Sequence, residues 1–169
     1  MLKTIIAILC LSVFTLGGIS SSGDISKLNS CEVLSNDYLA KVLDWSASAI
    51  KKDETRFKRA SVCTINHDEE NMLVRLGWSS SAAKKNRVPE RQFAKFLKDG
   101  EKGMKYEEVS KNTESQVLFG KGQEKFNFIT YIARKRFGNS SMIQVEVRTR
   151  SKDEEKYREK VLEMIEKIK

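Results

Sequence analysis

Proline and histidine are nearly missing from this chain: Pro89 and His67 are the only ones among 169 residues. So little proline, with nine glycines, excludes a linker-rich, collagen-like or disordered polypeptide. A lone histidine beside carboxylates is no metal-ligand set, and any Ser-His or Cys-His chemistry would have to use His67. No Gly-x-Ser-x-Gly, His-Glu-x-x-His or phosphate-cradling glycine loop occurs. RNP-like and helix-turn-helix patterns are missing too, so no nucleic-acid partner is expected. Beyond the first twenty residues no apolar run approaches the roughly 20 residues a membrane span needs. Internal repeats and low-complexity stretches are also absent.

What is present begins with an address. Lys3 supplies a positive start, the residues 5–16 (IIAILCLSVFTL) are uncharged, and Gly17-Gly18-Ile19-Ser20 offers small residues for a cut after Ser20. Residues 1–20 therefore read as a secretory signal peptide, 21–29 as a polar flexible leader, and 30–169 as a single domain. Cys10 lies inside the signal, and Leu9 before it does not fit a lipidation motif. The exported chain keeps Cys31 and Cys63, and an even pair in an oxidising compartment is most simply a disulfide. The alternative is a free Cys63 activated by His67, which the export signal disfavours.

The domain reads as α-β-β-α-β-β-β-α. Ser35 and Asp37 mark a helix start, with Leu39, Val42 and Leu43 at helical spacing. Residues 51–58 read as a charged loop, 57–66 and 71–79 as strands joined by an acidic, solvated turn holding His67. Residues 79–87 read as a polar loop. Pro89 opens a helix with Phe93, Phe96 and Leu97 on its buried stripe, stopped by Gly100. Residues 101–112 read as a glycine- and charge-rich connection anchored by Tyr106 and Val109, then strands span 115–120, 126–137 and 141–150. In the last, Ile143, Val145 and Val147 alternate with Gln144, Glu146 and Arg148, so one side of the sheet is covered and the other faces water. A final helix starts near Lys152 with a Ser151–Glu154 capping box. Hairpins outnumber crossovers, which predicts an α+β domain: an antiparallel sheet of about five strands with helices packed on it.

Several of these segments carry a resemblance. Cys31-Glu32-Val33-Leu34-Ser35, Leu39-Ala40-Lys41-Val42-Leu43, Ser61-Val62-Cys63-Thr64-Ile65, Tyr106-Glu107-Glu108-Val109 and Glu114-Ser115-Gln116-Val117-Leu118-Phe119 resemble a family of small secreted bacterial proteins and lipoproteins of unknown function. Those proteins open with a Cys-x-Leu-Leu helix. The resemblance implies a PsbP-like α+β fold and export, and supplies no activity. The chain departs from the family at Ser110–Ser115, where only the glutamate of a Gly-x-Gly-Asp-Glu-Ala turn is kept, and it lacks a lipid-bearing cysteine.

Net charge is +8, with 31 basic and 23 acidic residues. An excess of this size can steer association with anionic partners. The candidate anion-binding residues are Lys51, Lys52, Arg56, Lys58, Arg59, Lys84, Lys85, Arg87, Arg134, Lys135 and Arg136. Neither catalytic residues nor a metal or other cofactor are expected. The reading favoured is an exported, non-catalytic binding module of the cell envelope with a protein or envelope partner. A basic-face binder of anionic envelope components is one alternative. A small secreted hydrolase working through carboxylates brought together by the fold is another.

Overall fold

A computed structural model describes residues 25–68 and 70–168. Residues 1–20, read as a signal peptide, with Cys10 among them, and residues 21–24 of the expected leader lie outside the described residues. The chain forms α1 (Asn36–Leu43), β1 (Lys51–Phe57), β2 (Ala60–His67), β3 (Glu70–Trp78), α2 (Ser81–Lys85), α3 (Val88–Asp99), β4 (Lys105–Lys111), β5 (Ser115–Lys121), β6 (Ile129–Phe137), β7 (Ser141–Thr149) and α4 (Glu154–Lys167). The strands make one sheet in the order β1-β2-β3-β7-β6-β5-β4, every neighbouring pair antiparallel.

Seven strands replace the expected five, and residues 81–85 of the expected polar loop form the short helix α2, so the order is α-β-β-β-α-α-β-β-β-β-α and not α-β-β-α-β-β-β-α. The two additions are the edges: β1 forms where the sequence reads as a charged loop, and β4 where it reads as a glycine- and charge-rich connection. Both edges pair on one side only, and most of their side chains are exposed, with Tyr106 of β4 buried. Such strands need no apolar alternation, and charge on them opposes edge-to-edge pairing with other chains. Phe57 accordingly belongs to β1, and a two-residue turn, Lys58-Arg59, joins it to β2. β6 starts at Ile129, so Phe126 stands outside the strand assigned to it. The capping box is also replaced: Asp153 caps α4, its carboxylate accepting from Lys156 N at 3.0 Å.

Register sorts the side chains into two faces. Glu54, Cys63, Val74, Val145, Ala133, Phe119 and Glu107 form one cross-sheet row, charged at the edges and apolar between. This face is closed by α1, through Leu39, Val42 and Leu43, and by α4, through Tyr157, Val161, Met164 and Ile165. Each such aliphatic side chain stabilises the fold by about 1.5–3 kcal/mol when fully buried. Ile25 joins the same core from a short 3-10 turn, Ile25–Lys27, within the segment read as a leader.

The sulfurs of Cys31 and Cys63 are 1.99 Å apart. The bond ties the turn before α1 to β2, the second strand, and removes Cys63 as a free nucleophile. Lys52 reinforces it from β1: its Nζ donates to Cys31 O at 3.0 Å and Leu34 O at 2.5 Å.

The opposite face is divided. Over β4, β5 and β6, α3 lays Phe93 and Phe96 on Leu118, Ile132 and Tyr106. The Tyr106 ring crosses Gly120, where a Cβ would come within 2.7 Å of it. Toward β1 the same face carries exposed Thr64 and Arg75.

Candidate functional site

At the end of the divided face where β2 begins and β3 ends, α2 and the start of α3 leave a groove of about 290 Å³. Its floor comes from Ala60, Gly77 and Met142, cross-strand neighbours on β2, β3 and β7. Ala83, Val88 and Pro89 supply the helical wall, and Arg59 and Arg75 the charged part of the rim. The walls are pinned from several directions. Ser80 caps α2 by accepting from Ala83 N, Ser79 N donates to Ser140 O at 2.8 Å, and Glu90 N donates to Asn139 Oδ1 at 3.2 Å. Trp78 N donates to Arg59 O at 3.2 Å, which fixes the hairpin turn against the end of β3.

The groove is apolar and one-signed. No carboxylate lines it, and the guanidinium groups of Arg59 and Arg75 make no ion pair or hydrogen bond among the described residues. Glu90, next to Pro89, is taken by Arg87 through two bonds of 2.7 and 2.6 Å, and that pairing holds its carboxyl below the usual range. Val88 is 41% exposed on the wall, and Phe57, in the floor row beyond Ala60, is 55% exposed.

The eleven candidate cations scatter over the molecule. Lys58 and Arg59 lie in the β1–β2 turn and Lys84 and Lys85 on α2, so these four sit on the segments bordering the groove. Arg87 is engaged with Glu90. Lys51 is exposed at the opposite end of edge strand β1. Lys52 holds the disulfide loop, and burial lowers its pKa. Arg56 donates to Ser26 O at 2.7 Å. The run Arg134-Lys135-Arg136 is split by strand alternation: Lys135 pairs with Glu166 across the closed face, while the buried Arg136 donates to Gln116 Oε1 at 2.8 Å and Gly138 O at 3.0 Å.

Arg134 is the most enclosed of these, its side chain 5% exposed. It pairs with Glu101 and lies 4.0 Å from the Phe96 ring centre and 4.9 Å from that of Tyr106. Its Nε and Nη1, and the Tyr106 hydroxyl, make no hydrogen bond among the described residues. Burial pushes the Tyr106 hydroxyl up to about 12 against the pull of Arg134, and raises Glu146 in the same way. This cluster is a buried seam under α3, separate from the groove.

His67 is not solvated as its acidic turn suggested. Its side chain is 13% exposed, stacks on Trp45 at 5.0 Å, and accepts from Ser46 N at 3.0 Å through Nε2. Among the described residues no three His, Cys, Asp or Glu side chains group as metal ligands, and no helix is long and apolar enough to cross a membrane. Sequence reasoning missed Arg75 and the apolar floor. Their only signal was the alternation of Leu73, Arg75 and Gly77 on one side of β3. Comparison with protein-family models, with curated proteins and with solved structures gives no match.

Proposed function

We propose that this chain is an exported, non-catalytic binding module whose groove takes a bulky apolar side chain from an extended acidic segment of a protein partner. One observation carries the reading: an apolar floor rimmed by Arg59 and Arg75, both without ion pairs among the described residues, and without a carboxylate in the lining. At about 290 Å³ the groove is at the low end of small-molecule pockets, which suits one side chain rather than a whole enclosed ligand. Lys58, Lys84 and Lys85 on the bordering segments extend the positive surface over which flanking acids would lie. The signal-like residues 1–20 and the disulfide support export. The resemblance to small secreted proteins and lipoproteins points the same way.

The test uses short synthetic peptides with one central leucine or phenylalanine flanked by glutamates, read by the emission of Trp78, which lines the groove. Glutamate-flanked peptides should bind with an affinity that falls with added salt. The double variant R59E/R75E should weaken binding at least about tenfold. Equal binding of lysine-flanked peptides, or indifference to R59E/R75E, would overturn the proposal.

A further inference from the structure

At the far end of the sheet from the groove, the connection between β5 and β6 makes a small hairpin of its own. Lys125 and Phe128 pair through N–H···O bonds of 2.9 and 3.0 Å, leaving Phe126 and Asn127 at the tip. Both tip residues are left-handed, with φ of 52° and 63°. That geometry is the one a tight hairpin turn favours, and it selects Asn-Gly, not an aromatic residue, at its centre. Asn127 tolerates it; Phe126 is strained by its Cβ. Nor does its ring gain anything from the fold in return, being 90% exposed. Phe128, two residues on, shows the contrast: Arg148 and Arg150 lie 4.5 and 5.2 Å from its ring centre and hold the base of the hairpin.

The surroundings are basic. Lys125 belongs to the hairpin itself and makes no ion pair among the described residues. At its foot lies a shallow depression of about 520 Å³ lined in part by Lys105, Lys121 and Lys152. Two acids face these groups, Glu154 on Lys121 at 2.6 Å and Glu124 on Lys152 at 3.0 Å, while Lys105, Lys125 and Arg148 make no ion pair among the described residues and leave the balance positive. A strained, solvent-exposed aromatic at the point of a rigid hairpin, ringed by cations, has the make-up of an interfacial anchor. In such an anchor the ring enters the boundary between headgroups and acyl chains, and the lysines meet anionic headgroups.

We propose that the Phe126 hairpin docks this protein on an anionic lipid bilayer, independently of the groove. The test is sedimentation of the full chain with vesicles of phosphatidylcholine alone or mixed with phosphatidylglycerol. The protein should associate with the mixed vesicles only, and less so at high salt. Phe126→Asn removes the ring and suits the turn, so it should lower association at least about tenfold while leaving the unfolding midpoint equal or higher. Phe126→Trp should keep association and shift its emission to the blue on the mixed vesicles. Wild-type association of F126N, no association of the unaltered chain with mixed vesicles, or an unshifted F126W emission would each overturn the proposal. The last two outcomes are those expected if the ring instead fills a protein pocket.

Discussion

On β7, Ile143, Val145 and Val147 are sealed against α1 and α4, while Gln144, Glu146 and Arg148 occupy the other side of the same strand. The closed face is a continuous apolar layer. The divided face has α3 over β4–β6, a charged seam at Arg134, Glu101 and Glu146, and a groove where α2 and α3 begin. Strand alternation makes both faces possible. Which parts of the polar one are dried is decided by where a 12-residue helix happens to lie. Its border is where costs accumulate, because charged groups there lose water without full pairing. The groove proposed as a binding site lies at the margin of that cover, where apolar floor remains beside arginines without ion pairs among the described residues.

The contrast is open to direct attack. The largest effect is expected at Phe93, fully buried under α3: Phe93→Ala should lower stability by about 3–5 kcal/mol. Leu73→Ala, on the uncovered part of the same face, should cost less than about 1 kcal/mol in the same urea titration. Equal costs would mean that α3 does not divide the face.

Next is the clamp on the closed face. Replacing Cys31 and Cys63 together by alanine opens a link spanning 32 residues and should remove about 3–4 kcal/mol, read as a lower urea midpoint against the oxidised protein. Glu101→Gln should cost about 1–3 kcal/mol in the same titration. It strands Arg134 as a buried cation, although Glu101 itself is a third exposed.

The smallest effect concerns Glu146, whose pKa is raised chiefly by burial, Arg134 opposing. The native state then holds a proton at pH values where the unfolded chain has released it, so stability falls as pH rises through that interval. Glu146→Gln lacks this slope. It should exceed the wild type in thermal midpoint at neutral pH, and the gain should vanish at a pH below the ordinary carboxylate range.

Much of the closed face was legible in advance. Leu39, Val42 and Leu43 repeat at helical spacing, Ile143, Val145 and Val147 alternate, and all six are buried. Ser35 caps α1 as its position implies. The edges were illegible because β1 and β4 owe their pairing to a neighbour's backbone and not to their own side chains. Within α4, Glu154 stands four residues before Arg158 and Glu163 four before Lys167, yet Glu154, Arg158 and Glu163 reach Lys121, Glu107 and Tyr38 from other elements. The candidate site was legible in half: charge at Lys58, Arg59, Lys84 and Lys85 could be read, whereas the apolar floor could not.

Local chemistry therefore settled what depends on near neighbours: helix starts, the inward stripe of each central strand, and the pair of cysteines available for bonding. Only folding could settle which cations are consumed. Arg134 and Arg136 are held inside while Arg59 and Arg75 are left at the rim, because a guanidinium's fate depends on the residues brought beside it from across the sheet, and the order of charges along the chain does not encode those neighbours.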